Sequence, residues 1–107
     1  GKPLPVLLEV NISGEATRFG FSPQELAGAL EEIARLPNLK VQGLMTVAPL
    51  VPDPEQARPV FRRLREMGQA LGLRELSMGM SDDFEVALDE GATQVRLGRV
   101  IFGERTT

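Results

Sequence analysis

The sequence of 107 residues contains no cysteine, no histidine, no tyrosine and no tryptophan. The absence of cysteine excludes disulfides, thiolate zinc sites and cysteine nucleophiles, and it suits the reducing cytosol, so we expect a cytoplasmic protein. The absence of histidine removes the commonest general acid or base and the commonest metal ligand. Proton transfer within this chain would have to use carboxylates, lysine, hydroxyl groups or water. We therefore assign no catalytic residue and no metal ligand.

Long hydrophobic runs and an excess of positive charge are also missing. The net charge is -3, from 12 basic and 15 acidic residues, so no broad basic surface predicts nucleic-acid binding. The apolar run near the start is too short for a signal peptide or a membrane span. A content of 42% hydrophobic and 25% charged residues is typical of one globular domain. A small anionic ligand remains possible, since one or two positive groups suffice to bind it.

Strand-like and helix-like segments alternate along the whole chain. Valine, leucine and isoleucine runs predict buried strands, and apolar residues at helical spacing predict the helices between them. This alternation predicts a parallel sheet built from right-handed crossover units, either an open doubly wound sheet or half of an eight-stranded barrel. The glycine fingerprint of dinucleotide-binding folds is missing after the first strand. The predicted strands are 5–12, 40–47, 73–79 and 93–98, and the predicted helices are 22–36, 53–72 and 81–91.

Local signals give the ends of these helices. Ser22, Pro23 and Glu25 have the spacing of a capping box with proline in the first turn. Gly72 is expected to end the second helix. Pro59 predicts either a kink in that helix or its true first turn, preceded by a short separate turn.

Two glycine-bearing turns follow the third and fourth predicted strands, in "SMGMS" (77–81) and "VRLGRVIFG" (95–103). Gly79 would let the backbone approach a ligand closely, and Ser81 offers a hydroxyl and an amide at a helix start, which favours anions. The ordinary alternative is that Ser81 only caps the third helix. Gly98 and Arg99 would donate adjacent backbone amides to an anion in the second turn.

Polar residues inside apolar strands point to the same region. Arg96 lies in an apolar strand, where burial is costly unless the guanidinium pairs with a carboxylate, an anion or a ring nitrogen. A salt bridge from Arg96 to Glu9 or Glu85 is as well supported as a ligand contact. Glu9 and Asn11 alternate along the first strand and suggest either a site at its carboxyl end or a polar barrel interior. Met78 is a candidate to flank a flat ligand, and packing in the core is the ordinary alternative.

The segments "VLLEVNISGEATRFGF", "LPNLKVQGLMTV" and "LSMGMSDDFEVALDEGATQVRLGRVIFGER" resemble the carboxyl-terminal half of the YggS/PROSC family. These are pyridoxal-phosphate homeostasis proteins related to the barrel domain of alanine racemase. The resemblance implies a (β/α)8 TIM barrel that binds pyridoxal 5′-phosphate and carries or buffers it, without a settled enzymatic turnover.

The resemblance also implies roles for six residues. Ser81 would hold the phosphate through its hydroxyl and amide, and the amides of Gly98 and Arg99 would complete this cradle. Arg96 would face the pyridine nitrogen, keep it unprotonated and so weaken the ring as an electron sink. Met78 and Asn11 would line the pocket. The Schiff-base lysine of the family lies in its amino-terminal half, so residues 1–107 would form a partial domain without the covalent anchor.

A half barrel leaves strand edges and one sheet face uncovered, so we expect association with a second copy or with the missing half. Two alternatives remain open. The chain is either part of a racemase-type or decarboxylase-type enzyme, or a structural, partner-binding half barrel. In the second alternative Ser81 only caps a helix and Arg96 only forms a salt bridge.

Overall fold

The computed structural model describes residues 3–14, 20–49 and 51–96, with only the backbone of Arg96. It confirms the predicted alternation of strands and helices. The last residues of the predicted fourth strand, 97 and 98, lie outside the described residues. The elements in chain order are β1 (Leu4–Glu9), α1 (Pro23–Ala34), β2 (Leu39–Met45), a 3-10 turn (Pro54–Ala57), α2 (Arg58–Leu71), β3 (Glu75–Met80), α3 (Phe84–Asp89) and β4 (Gln94–Arg96).

The four strands form one parallel sheet in the order β1-β2-β3-β4. Each crossover therefore returns to the adjacent position, and the carboxyl ends of all four strands lie at one edge of the sheet. β1 and β4 are the outer strands of the described sheet. The prediction of a parallel α/β architecture is confirmed.

The hydrophobic core lies between the helices and one face of the sheet. Residues from every layer are almost completely buried there, and alternation along the strands brings the core side chains to the same face. Lys40 and Gln42 in β2 are exposed. The largest fully buried side chains are Phe61, Leu26, Leu44, Leu64, Met78, Val10 and Thr46.

The helix ends follow the local signals. The Ser22 hydroxyl accepts a hydrogen bond from the Glu25 amide at 3.2 Å, and the Ser22 amide donates to Glu25 Oε1 at 2.9 Å, which confirms the capping box. Gly72 follows α2 in the left-handed conformation, with φ of 72°. Pro59 lies in the first turn of α2, after the separate 3-10 turn, so the second interpretation of this proline is confirmed. Within the described ranges no helix is long and apolar enough to span a membrane.

Candidate functional site

The turn after β3 has a different structure from the predicted helix start. The Met80 amide donates to Asp83 Oδ1 at 2.7 Å, and the Asp83 amide donates to the Met80 carbonyl at 3.1 Å. These bonds close a turn over residues 81–83, and α3 begins only at Phe84. Ser81 is therefore not the cap of the helix, and the prediction that the helix begins at residue 81 is wrong. The hydroxyl of Ser81 is half-buried in this turn.

Gly79 is explained by packing within the protein. Its φ is +103°, a conformation that side chains rarely adopt. A Cβ atom added there would lie 2.6 Å from the Ala87 Cβ and 3.3 Å from the Phe84 Cα. The glycine thus lets α3 rest directly on the backbone of β3. The close approach that the sequence suggested for a ligand is made by a helix.

Residues 95 and 96, where the second predicted turn begins, lie beside the end of β3. Met80 pairs with Arg96 in the β3–β4 ladder, so the chain leaves both strands at the same edge of the sheet. The guanidinium of Arg96 is outside the described side chains, and Gly98 and Arg99 are outside the described residues.

Asn11 and Met78 have different surroundings. Asn11 follows β1 at the same carboxyl edge, is half-buried, and accepts a hydrogen bond from the Gly14 amide at 3.1 Å. The Met78 side chain is 0% exposed and packs in the core with Leu76 and Ala87. Met80, by contrast, is 47% exposed at the end of the strand. The structure therefore gives Met78 a packing role in the core. Its contact with a ligand stays a prediction.

The lysine in the described chain lies far from this edge. Lys40 is the second residue of β2 and pairs with Pro5, at the amino end of the sheet. With a rise of about 3.3 Å per residue, Lys40 lies roughly 25 Å from Ser81 along the strand direction. Lys2 is outside the described residues. Lys40 cannot reach a group that is bound at Ser81.

An open groove of about 500 Å³ runs between the 3-10 turn and α3, and Ser81 is among the residues that line it. Its charged lining is mostly acidic, so the groove itself is unfavourable for phosphate. Among the residues that the structure describes, no three carboxylates are close enough to hold a metal ion. The charged residues that line the groove are Asp53, Glu55, Arg58, Asp82, Asp83, Glu85 and Asp89.

A group of ion pairs joins α2 to the end of α3. The Glu90 carboxylate, with a side chain only 5% exposed, accepts hydrogen bonds from Arg58 at 2.7 Å and from Arg62 at 3.2 Å. Arg65 lies 3.1 Å from the same carboxylate. Arg58 also bonds Glu55 and Asp89. We call Glu90 and these three arginines the Glu90 cluster.

Hydrogen bonds in this cluster shift the ionisation of its members. Those from Arg62 and Arg58 lower the pKa of Glu90, although burial of its side chain opposes the shift. Bonds to Glu55, Glu90 and Asp89 raise the pKa of Arg58. Both groups are therefore charged at neutral pH, and the cluster is an ionic one.

The Glu90 cluster was not predicted from the sequence. Arg58, Arg62 and Arg65 follow one another at spacings of four and three residues, which brings them to one face of a helix. That spacing was the available signal. Their partner is 25 or more positions away along the chain, and only the packing of α3 on α2 brings Glu90 to them.

The sequence also matches a family of known proteins. The family model described as the alanine racemase N-terminal domain matches residues 1–106. A protein of Aquifex aeolicus is 52% identical over 106 residues, covering 94% of this chain and 46% of that relative. A protein of Pseudomonas aeruginosa is 47% identical over 105 residues, covering 96% of this chain and 46% of that relative. Both are named pyridoxal phosphate homeostasis proteins.

Solved structures share the fold. PipY of Synechococcus elongatus, determined without pyridoxal phosphate, matches with a TM-score of 0.81 and 32% identity, covering 94% of this chain and 50% of PipY. PipY with pyridoxal phosphate bound matches with a TM-score of 0.79. Alanine racemase of Corynebacterium glutamicum, at 22% identity and a TM-score of 0.69, shows the same fold. This chain spans about half the length of the curated relatives it matches.

Proposed function

Because this chain belongs to the family of the alanine racemase N-terminal domain, we propose that it binds pyridoxal 5′-phosphate as part of a protein that carries or buffers this cofactor. The names of the relatives and the structure of PipY with pyridoxal phosphate support the choice of ligand. The observation that carries the proposal is the pairing of Met80 with Arg96, which aligns the ends of β3 and β4.

The proposal includes which part of the barrel the chain forms. Four parallel strands in chain order are the arrangement of half a (β/α)8 barrel. The assignment to the carboxyl-terminal half rests on the resemblance of residues 76–105 to that half of the YggS/PROSC family. In such barrels phosphate groups are frequently held by the loops after the last two strands, which correspond in this assignment to the turns after β3 and β4.

Five of the six predicted residues then have a distinct task. The hydroxyl and amide of Ser81 bind the phosphate, and the backbone amides of Gly98 and Arg99 bind it from the neighbouring turn. The Arg96 guanidinium faces the pyridine nitrogen and keeps it unprotonated. Asn11 lies at the same edge of the sheet and borders the pocket. When bound, the cofactor supplies an electron sink, which an arginine beside its ring nitrogen weakens.

The hydroxyl and amide of Ser81 are proposed to bind an anion on one side of the turn over residues 81–83. Asp83 points back at the Met80 amide, so its carboxylate is engaged within the turn. The acidic groove occupies the side toward α2. The phosphate is therefore proposed to lie on the side of the turn toward β4, where the chain continues into Gly98 and Arg99.

Binding of the phosphate can be tested by isothermal titration with pyridoxal 5′-phosphate and with inorganic phosphate. A hydrogen bond to a charged group contributes about 1.5–3 kcal/mol, so Ser81→Ala should weaken both ligands roughly 10- to 100-fold. Ser22→Ala is the matched control, because it removes a hydroxyl that caps α1, outside the turns after β3 and β4, and should lower stability without changing either affinity. Equal affinities of Ser81→Ala and the unaltered chain would contradict the phosphate site.

The role of Arg96 calls for a different comparison. Inorganic phosphate has no ring, so Arg96→Ala should weaken pyridoxal phosphate at least several-fold and leave inorganic phosphate unchanged. Arg74→Ala, at an exposed position after α2, is the matched control for loss of one positive charge. A similar loss of both ligands in Arg96→Ala would instead assign the guanidinium to the phosphate.

Covalent attachment is proposed to depend on a lysine outside this chain. Lys40 is at the opposite end of the sheet, so this chain should bind the cofactor reversibly. Borohydride treatment followed by peptide mass spectrometry should give no adduct at Lys2 or Lys40. A stoichiometric adduct at either lysine would refute this assignment.

A further inference from the structure

We propose that Glu90 is a positioning residue that holds the Ser81 turn in place for the ligand, an inference that rests on the proposed function. Glu90 does not lie at the carboxyl edge of the sheet and touches no predicted ligand contact. It would act through α3, whose first residue directly follows the turn over residues 81–83.

The short length of α3 makes its position dependent on contacts. It has only six residues, and isolated helices shorter than about 12 residues are marginal in water. The face of α3 that packs on the sheet contacts Gly79, and its own residues Val86 and Ala87 are buried there. These apolar contacts set its distance from the sheet. The orientation of the α3 axis over the sheet then depends on the contacts at the two ends of the helix.

The Glu90 cluster supplies that constraint at the carboxyl end. Glu90 follows the last residue of α3, and its carboxylate is held by Arg58, Arg62 and Arg65 on a face of α2. Three cations converging on one carboxylate fix its position in more than one direction. A six-residue rigid helix transmits a displacement of this end to the Ser81 turn at the other end.

Arg58 extends the same constraint across the acidic groove. One part of its guanidinium bonds both carboxylate oxygens of Glu55 on the 3-10 turn, and the other part bonds Asp89 and Glu90. The fork of this side chain thus joins the two walls of the groove that Ser81 helps to line. Loss of the Glu90 charge leaves the arginines facing each other without their common partner, and the walls should separate.

The test compares Glu90→Gln with Glu66→Gln. Both variants remove one negative charge, but Glu66 is exposed on α2 and forms no ion pair in the described structure. In the ligand-free chain, the amide resonance of Ser81 should move in Glu90→Gln and stay in place in Glu66→Gln, while the amides of β1 stay in place in both. At a temperature where both variants are fully folded, Glu90→Gln should bind pyridoxal phosphate about 3- to 10-fold more weakly than Glu66→Gln.

The outcomes separate the two proposals. If the unaltered chain binds no pyridoxal phosphate, the proposed function fails, while the Ser81 resonance still tests the positioning. An unmoved Ser81 resonance in Glu90→Gln overturns the positioning role, whatever the affinity. If Glu90→Gln does not fold, Arg62→Gln takes its place, since Arg62 is 52% exposed and one arginine is lost from three. It should move the same resonance to a smaller extent.

Discussion

At the residue scale, Glu90 is expected to make stability depend on pH. Its pKa in the folded chain lies below its ordinary value of 4.5, so it contributes stability above that pH. The contribution is lost as the pH falls through the lowered folded pKa. Hydrogen bonds with Ser22 lower the pKa of Glu25, and hydrogen bonds with Arg58 lower the pKa of Glu55. Both groups therefore also make the chain more stable as the pH rises.

Glu90→Gln should therefore remove part of this pH dependence. At pH 7 we expect the free energy of unfolding to fall by about 1–3 kcal/mol, because charged hydrogen bonds are lost and three arginines remain together. Near pH 3 the variant and the unaltered chain should be much closer in stability. Urea unfolding at both pH values measures this difference, with Glu66→Gln as the control. A loss of the same size at both pH values would show that packing, not charge, makes Glu90 important.

Residue identities predicted where residues of the candidate site lie only where a local rule was sufficient. Ser81 and Asn11 were correctly expected at the carboxyl ends of strands, because strand ends can be read from apolar runs and turns. Glu90 was missed, because a surface-type residue before a glycine gives no sign of burial until two helices pack. The burial of Met78 follows from which face of β3 meets the helices, which the sequence left open.

At the scale of elements, the packing of α3 on Gly79 gives a sharp prediction. Gly79→Ala forces a side chain into φ of +103° and against Ala87, so it should destabilise the chain by about 2–4 kcal/mol. Gly28→Ala is the matched control, since Gly28 is inside α1 with nothing within 4 Å of the added Cβ. That change should stabilise the chain by about 0.5–1 kcal/mol.

Thermal unfolding of the two alanine variants separates the effects. Opposite shifts of the melting temperature support the close contact of α3 with the β3 backbone. Two shifts in the stabilising direction would contradict it. The order of elements was predictable from periodicity, and the α1 cap from three residues. The start of α3 was not, because Asp83 bonds the amide of Met80 and closes a turn that competes with the helix.

At the scale of the whole molecule, the sheet has one face that is not covered by helices. Parallel sheets are almost always buried on both faces, and free edges invite pairing with other strands. Here the described helices cover one face, and Leu4 in the outer strand β1 is 61% exposed. The free chain in solution should therefore associate. Sedimentation velocity should show a species of at least twice the mass of one chain, and a stable monomer at micromolar concentration would contradict this expectation.

The parallel α/β fold was predictable because the periods of strands and helices differ clearly. What packs against the second face of the sheet was not predictable. The choice between an open sheet and part of a barrel depends on what pairs with β1 and β4. No property of the four strands determines it. The likeness to PipY and to alanine racemase shows that the fold of this chain is shared with longer chains.

The central claim is that the ends of β3 and β4 hold the phosphate of pyridoxal 5′-phosphate. A crystal structure of the chain with this cofactor tests it most directly. The account predicts phosphate density within hydrogen-bonding distance of the Ser81 hydroxyl and of the backbone amides of Gly98 and Arg99, with the ring nitrogen at Arg96. Phosphate density at the amino end of the sheet, beside Lys40, would contradict it.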